Sequence, residues 1–287
     1  MCFWFPEEKA SSIIASIAQE TIAAIDRLFP EKLGQESDEN EDDRAQRPLV
    51  ERNWIAVPAK ASGYIQSVNN AAILRLAQDN KTIVRMEHGI GEFVVQGTSL
   101  ASLALEAPPD ERTLGALQSA FSISDHRTVE QDAAFGIRQI VDVALKALSP
   151  GINDTTTAVM CVDYLASVLA RVVPRQIPSS LRFEDGELRV IAKGPSFESL
   201  LAESFDQIRR NAKGDVVILS RILDALQLLA SLTASPSRRR ALREQVQWIA
   251  ELAGRTIDAN HDRAAIDRQL TGVFETLAAK PDRCGGE

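Results

Sequence analysis

The sequence predicts an α+β protein, in which a small β barrel-like domain is followed by a larger, mainly α-helical domain with one β-hairpin. Aromatic residues make up only 5% of the 287 residues, while Ala, Leu, Ile and Val dominate, which favours helical packing over a β-sandwich. Short alternating segments separated by glycine fill residues 48–108. Between residues 109 and 280, apolar residues recur mostly at helical spacing.

Charge and cysteine content exclude several classes of protein. The formal net charge of −8 argues against a general nucleic-acid binder, which needs a basic face. The three cysteines are Cys2, Cys161 and Cys284. They form no CxxC pair, so neither a disulfide framework nor a structural zinc site is expected, and a reducing compartment fits. We therefore predict no metal and no cofactor.

The sequence also predicts no transmembrane segment in this chain. No stretch of about 18 residues is both apolar and uncharged. The most apolar candidate, residues 216–232, is interrupted by Arg221 and Asp224. Residues 1–6 are apolar, but they are too few for a signal peptide and lack its basic start. We interpret them as a frayed terminus or, alternatively, as a membrane-interface anchor.

Residues 1–34 are predicted to form an N-terminal juxtamembrane-like helix. Between residues 11 and 29, isoleucine and leucine recur at helical spacing. Residues 35–47 contain Glu-Ser-Asp-Glu-Asn-Glu-Asp-Asp, and such like charges repel each other and bury nothing. This segment is therefore predicted to be an acidic disordered linker, and helix and linker are expected to precede the globular part.

The small β-rich domain is predicted at residues 48–108. Its strands are expected at 54–58, 62–68, 82–86, 92–97 and 100–105, with one helix at 69–79. Residues 109–280 form the predicted helical domain. Its helices are expected at 112–121, 132–148, 155–173, 196–211, 215–233, 237–259 and 263–279.

Three features of the helical domain are more specific. Asp185-Gly186 is a type I′ turn signal and predicts a hairpin at 179–191. The helix at 215–233 is apolar on more than half its circumference, so it is the predicted central helix. Three arginines, 238–240, open a helix where the helix dipole disfavours cations. We interpret them as a solvated face or, alternatively, as a contact with anionic lipid or an acidic partner.

The most distinctive chemistry lies in the turn between the helices predicted at 132–148 and 155–173. The sequence Ser-Pro-Gly at 149–151 ends the first helix, because proline cannot continue the helix and glycine allows a positive φ. Asn153 or Asp154 then caps the second helix, and threonine hydroxyls line its first turn. Free amides, hydroxyls and the positive helix end suit an anion or a polar small molecule. A well-capped turn alone explains the same residues.

Three charged residues extend this candidate site. Arg138 and Asp142 lie one helical turn apart at the edge of an apolar stripe, where they either hold a neighbouring loop or simply decorate the flank. Asp163 lies two turns beyond the cap and could face Arg138. The candidate ligand-binding residues are Arg138, Asp142, Ser149, Asn153, Asp154, Thr157 and Asp163.

The run Phe-Gly-x-Arg-Gln-x-x-Asp-x-Ala-Leu-x-Ala-Leu-Ser-Pro-Gly-Ile-Asn-Asp-x-x-Thr-Ala, at 135–158, resembles the signature of a bacterial family of predicted membrane proteins, domain of unknown function 2254. The resemblance extends from about residue 11 to 277. It implies several transmembrane helices ahead of a cytosolic part like this chain, which lacks them. The family usually has proline where Thr155 stands here, and threonine is tolerable at that first helical position. The family has no established activity, so the resemblance implies location and architecture but no reaction.

Three hypotheses for function follow. The first is a soluble, non-catalytic cytosolic module of a membrane-associated protein, at the cytoplasmic side of the membrane or in the cytoplasm, with a role in ligand sensing, assembly or coupling. Its expected partners are a membrane subunit or membrane surface and further copies of the chain. The second is an enzyme or small-ligand receptor with its site at the turn, although no catalytic motif supports an enzyme. The third is a truncated product without independent function.

Overall fold

A computed structural model describes residues 7–29 and 52–279 of the chain. Within these ranges it has nine helices and eight strands, so the predicted α+β class is confirmed. The chain divides into a helical unit and a strand unit. Two predictions, the apolar start at 1–6 and the acidic linker at 35–47, lie outside the described residues.

In chain order the elements are α1 (Glu7–Leu28), β1 (Trp54–Pro58), β2 (Gly63–Val68), α2 (Asn70–Asp79), β3 (Val84–Met86), β4 (Phe93–Val94), β5 (Ser99–Ala104), α3 (Glu111–Ser119), β6 (Phe121–Ser124), α4 (Ala133–Ala147), α5 (Thr155–Val172), β7 (Leu181–Glu184), β8 (Glu187–Ile191), α6 (Phe197–Ala212), α7 (Val216–Ser231), α8 (Pro236–Thr256) and α9 (Asn260–Ala278). The helical unit contains α1, most of α4, and α5 to α9. The strand unit contains all eight strands with α2 and α3.

Helix α7 is the centre of the helical unit, as its apolar pattern predicts. It contacts α5, α6, α8 and α9. Asp215 caps its N-terminus by accepting hydrogen bonds from the amides of Val217 and Ile218, at 2.9 and 3.2 Å. Its buried residues are Ile218, Leu219, Ile222, Leu223, Ala225, Leu226, Leu229 and Ala230. Full burial of each large aliphatic side chain contributes about 1.5–3 kcal/mol, so α7 supplies much of the driving force for folding of this unit.

Helix α1 belongs to the helical unit and does not precede it as expected. Ile14 and Ile25 are fully buried, and the helix packs against α5. Gly136 of α4 permits a close approach, because a Cβ atom there would clash with the hydroxyl of Thr21. The amphipathic pattern predicts the helix correctly, but it cannot distinguish a protein surface from a lipid surface as the partner of the apolar face. Here that partner is protein.

The strand unit has two open sheets and no closed barrel among the described strands. One sheet has the order β1-β5-β3-β8-β7 and the other β4-β2-β6. Closure would require the edge strands of one sheet to pair with each other, and the spacing of glycines along the sequence does not determine this. Strand β6 is not apparent from the sequence, because its four residues directly follow a helix and their apolar–polar alternation is too short to indicate a separate strand.

The predicted hairpin, β7 and β8, turns at Asp185-Gly186. Their φ values of 52° and 77° match the two left-handed positions of a type I′ turn. We expected this hairpin in the helical domain, but β8 pairs in parallel with β3, with Val190 opposite Val84. The hairpin therefore extends the five-stranded sheet and covers an edge of β3 that would otherwise be unpaired.

Candidate functional site

The turn between α4 and α5 is held by its own backbone. The amides of Ile152 and Asn153 both donate to the Ser149 carbonyl, at 3.0 and 2.9 Å, and the Asp154 amide donates to the Ala147 carbonyl at 2.8 Å. The Ser149 hydroxyl donates to the Lys146 carbonyl at 2.7 Å, so it finishes α4. These bonds make the turn a tight connection.

The left-handed residue of this turn is Asn153, with φ of 51°, and not Gly151 as the sequence suggests. Asparagine tolerates this conformation better than most residues because its short polar side chain can bond locally. A Cβ atom on Gly151 would meet nothing within 4 Å. The glycine is therefore not needed for space or for a positive φ.

Asp154, one of the two predicted caps, closes the N-terminus of α5. One carboxylate oxygen accepts from the Thr157 amide at 3.0 Å, and the other accepts from the Thr157 hydroxyl at 2.5 Å. Thr157 is buried. The carboxylate thus occupies the positive helix end where an anion was expected, and its charge opposes a second anion there.

Cys161 lies on α5 one turn after Thr157. It is fully buried, and this burial, together with the nearby Asp154 charge, raises the pKa of its thiol to about 12. The thiol therefore stays protonated at neutral pH. A protonated, buried thiol is a poor nucleophile and a poor metal ligand.

The charged members of the predicted site fall into two separate clusters. Arg138 forms ion pairs with Asp142 at 2.7 Å and with Glu203 of α6 at 3.5 Å, and all three side chains are partly exposed. Asp163 does not face Arg138. It pairs with Arg221 of α7, which also lies 3.7 Å from Asp224.

The structure therefore gives each candidate residue a partner or a backbone role within the chain. Asp154, Thr157, Ser149 and Asn153 shape the turn. Asp142 pairs with Arg138 within α4, Arg138 links α4 to α6 through Glu203, and Asp163 links α5 to α7. Ligand binding by these residues stays a prediction. Among residues 7–29 and 52–279, no group of three or more His, Cys, Asp or Glu could hold a metal ion.

Sequence reasoning missed a cluster of arginines that bind the C-terminal ends of helices. Arg238 is buried and donates to the carbonyls of Val173 and Arg175, which follow the last turn of α5. Arg239 donates to Thr233, beyond the end of α7, at 2.9 Å, and to Thr276, near the end of α9, at 2.7 Å. These carbonyls lack helical partners and carry partial negative charge, so arginine suits them.

This arginine cluster continues to α1. Arg175 is buried, donates to the Phe29 carbonyl at 2.7 Å and pairs with Asp26 at 2.8 Å. Arg171 pairs with Asp26 as well, at 2.6 Å. The hydrogen bond from Arg171 and the charges of Arg175 and Arg171 hold the pKa of Asp26 below its ordinary value. We name Arg171, Arg175, Arg238, Arg239 and Asp26 the arginine node.

The solvated-face interpretation is therefore wrong for Arg238, which is buried, and Arg239, which is partly buried and binds four carbonyls. Their placement in the first turn of α8 did carry a signal. Cations are unfavourable at a helix N-terminus. Two arginines there indicate that favourable contacts with another helix or strand offset this unfavourable interaction. Here the compensation comes from the negative ends of α5, α7 and α9.

Comparison with known proteins gives the chain a family. A family model described as "Predicted membrane protein (DUF2254)" matches residues 8–228. The chain belongs to this family. Uncharacterized proteins of Mycobacterium tuberculosis and Mycobacterium bovis are each 30% identical to it over 286 residues, covering 96% of this chain. The chain spans 54% of the length of these relatives. No solved structure matches it.

One helix in the described part of this DUF2254 protein, α5, is long and apolar enough to cross a membrane by length and composition. Its sequence is not an uncharged apolar stretch, because it carries Asp163 and Arg171. Half of the helix is buried within the structure, where it packs against α1, α6 and α7. Such burial is typical of a helix in the core of a globular unit.

Proposed function

We propose that this chain is an extramembrane module of a membrane-associated assembly, and that it couples to a membrane partner without catalysing a reaction. The observation that carries the proposal is the match to a predicted membrane protein family by a chain with about half the length of its relatives. On this proposal, the membrane partner corresponds to the part of those relatives that the match does not cover. On this proposal the chain lies on the cytoplasmic side.

The burial of α5 supports attachment of the folded chain to a membrane partner by docking, and not by insertion of α5 into the bilayer. Inserting α5 into a bilayer would separate its buried residues from α1 and α7, and the apolar faces of those helices would lose their cover. It would also place Asp163, at the middle of the helix, near the bilayer centre, at a cost of about 2.5–3.5 kcal/mol or more. The folded helical unit is therefore the favoured state.

Charge favours a protein partner over a lipid surface. The formal net charge of −8 opposes binding to anionic lipid, which attracts basic segments. The arginine node offers lipid little, because the guanidinium groups of Arg238 and Arg239 donate to backbone carbonyls of the same unit. A membrane protein with its own cytoplasmic surface is the partner that fits.

Fractionation of the host organism, with the chain tagged at its natural expression level, tests this proposal. We expect the chain in the membrane fraction and its release by alkaline carbonate, which strips docked proteins and leaves spanning helices in place. A chain that resists carbonate would show that a segment such as α5 spans the bilayer. A chain found only in the cytosol, with no membrane protein co-purifying after cross-linking, would contradict membrane coupling altogether.

A further inference from the structure

Helix α7 carries one exposed face although it is the central helix. Val217, Leu228 and Leu232 are 57%, 48% and 47% exposed. Val217 and Leu228 are eleven residues apart, about three helical turns, so they project in nearly the same direction. Arg221 and Asp224 lie between them on the same face and are also exposed. We name Val217, Arg221, Asp224, Leu228 and Leu232 the α7 stripe.

A recess lies beside the C-terminal half of this stripe. Its volume is about 370 Å³, and it is lined by Asp224, Gln227, Leu228 and Ser231 of α7 and Thr276 of α9. The Gln227 amide donates to the Thr276 hydroxyl at 3.3 Å, so part of the lining is a hydrogen-bonded contact between the two helices. Of these five residues only Leu228 is apolar, so a valine side chain that enters can pack against Leu228 alone.

The order of residues along the stripe makes it complementary to a second copy that runs antiparallel to it. From the N-terminus it is apolar, cation, anion, apolar, with Val217, Arg221, Asp224 and Leu228 in turn. Laid antiparallel on itself about its midpoint, the stripe sets Arg221 opposite Asp224 and Val217 opposite Leu228. A parallel arrangement would set each charge against its own kind, which is repulsive.

We propose that two copies of this chain associate through the α7 stripe, with the two α7 helices antiparallel across a two-fold axis. Such an interface is isologous, since both copies use the same patch. Val217 of each copy then enters the recess beside Leu228 of the other. This association does not depend on membrane attachment.

The charges of the stripe allow cross-pairing. Arg221 already binds Asp163 of its own chain, while its contact with Asp224 is longer, at 3.7 Å. One Asp224 oxygen accepts from Gln269 at 3.1 Å, and the other faces Arg221 only at that longer distance. Arg221 of the second copy can approach this second oxygen, so the pairing orients the two copies.

Sedimentation of the full chain over a concentration series is the first test. The wild type is expected to approach twice the 31.4 kDa chain mass as the concentration rises. Val217→Asp and Leu228→Asp should each raise the dimer dissociation constant at least about tenfold, because each places a charge in the apolar contact. Ile13→Asp is the matched control, since Ile13 is 46% exposed on α1, and it should leave the constant unchanged.

Charge reversal tests the orientation. Arg221→Asp and Asp224→Arg alone should each weaken the dimer, and the double variant should restore it, since the cross-pairs return with exchanged signs. Thermal unfolding of each variant separates loss of association from loss of folding. Failure of the double variant to recover, with its fold intact, would overturn the antiparallel pairing.

Disulfide trapping provides a second, independent readout. With Cys2 and Cys284 replaced by serine and the buried Cys161 retained, the double variant Val217→Cys, Leu228→Cys should form a covalent dimer on mild oxidation. Val217→Cys alone should not, because the two copies of residue 217 would lie about 16 Å apart along the helix axes. A wild type that stays monomeric, a dimer that L228D does not weaken, or a monomer that binds phosphatidylglycerol vesicles through Leu228 would each overturn the proposal.

Discussion

The turn before α5 and the first turn of α8 both place charged or polar side chains at a helix N-terminus, yet they differ in what they bind. The turn is satisfied locally, since Asp154 bonds an amide and a hydroxyl of Thr157, three residues away. The arginines of α8 bond carbonyls up to 66 residues away in sequence, at the ends of three other helices. A distinctive motif can therefore be a local cap, while a plain run of charges can join distant parts of a fold.

The largest expected effect comes from Arg238. Arg238→Met keeps the apolar stem but leaves the carbonyls after α5 buried without this donor, so it should destabilise the chain by about 2–3 kcal/mol. Arg240→Ala is the matched control on the same turn. Arg240 is exposed, and an interaction made by an exposed arginine contributes little, so its loss should change the free energy of unfolding by less than about 0.5 kcal/mol. Urea unfolding of both variants measures the difference, and equal effects would remove the distinction between the two arginines.

Loss of the Asp154 cap should have a smaller effect. Asp154→Ala removes both acceptors of Thr157 and should cost about 1 kcal/mol, the usual value for a helix cap. Asp154→Ser keeps a capping oxygen and should recover most of that loss. Thermal or urea unfolding measures both variants. Equal stabilities of the alanine and serine variants would show that Asp154 does not stabilise the chain by capping α5.

The backbone of the turn offers a third comparison. Asn153→Val should cost about 1 kcal/mol, because a β-branched residue is strained at φ of 51°. Asn153→Gly should be tolerated, and so should Gly151→Ala, whose added methyl group meets nothing within 4 Å. Melting temperatures of the three variants provide the measurement. A strongly destabilised Gly151→Ala would show that the left-handed position had been assigned to the wrong residue.

The smallest expected effect is the pH dependence of the arginine node. Because the pKa of folded Asp26 lies below the ordinary value of 3.8, its ion pairs add stability above that value. This stability is lost as the pH falls through the folded pKa. It stays below about 1 kcal/mol, since the carboxylate is partly exposed. Asp26→Asn should therefore flatten the stability profile below about pH 4 and leave its slope near neutral pH unchanged.

Features with a local cause could be predicted from the sequence. The hairpin turn follows from Asp185-Gly186, because two successive left-handed residues need such side chains. The centrality of α7 follows from its apolar circumference. The N-terminal cap of α5 could be predicted to within two residues. The sequence indicates Asn153 or Asp154, and the structure shows that Asp154 is the cap.

Features that join distant segments could not be predicted. The partner of Asp163 is Arg221, 58 residues later, and nothing in the spacing favours it over Arg138. The parallel pairing of β8 with β3 and the docking of α1 on α5 likewise depend on how the chain returns to itself. Periodicity reveals that a face is buried, and the identity of the covering surface is tertiary information.

Amide hydrogen exchange on the full chain is the most direct test of the central claim. The claim is that the turn before α5 is stabilised by contacts within a few residues, whereas the arginine node stabilises segments that are distant in sequence. Arg238→Met is predicted to accelerate amide exchange in the last turns of α5, far along the chain from the substitution. Asp154→Ala is predicted to accelerate exchange only in the first turn of α5. Exchange that rises in the first turn of α8 alone for Arg238→Met, or throughout the helical unit for Asp154→Ala, would contradict the account.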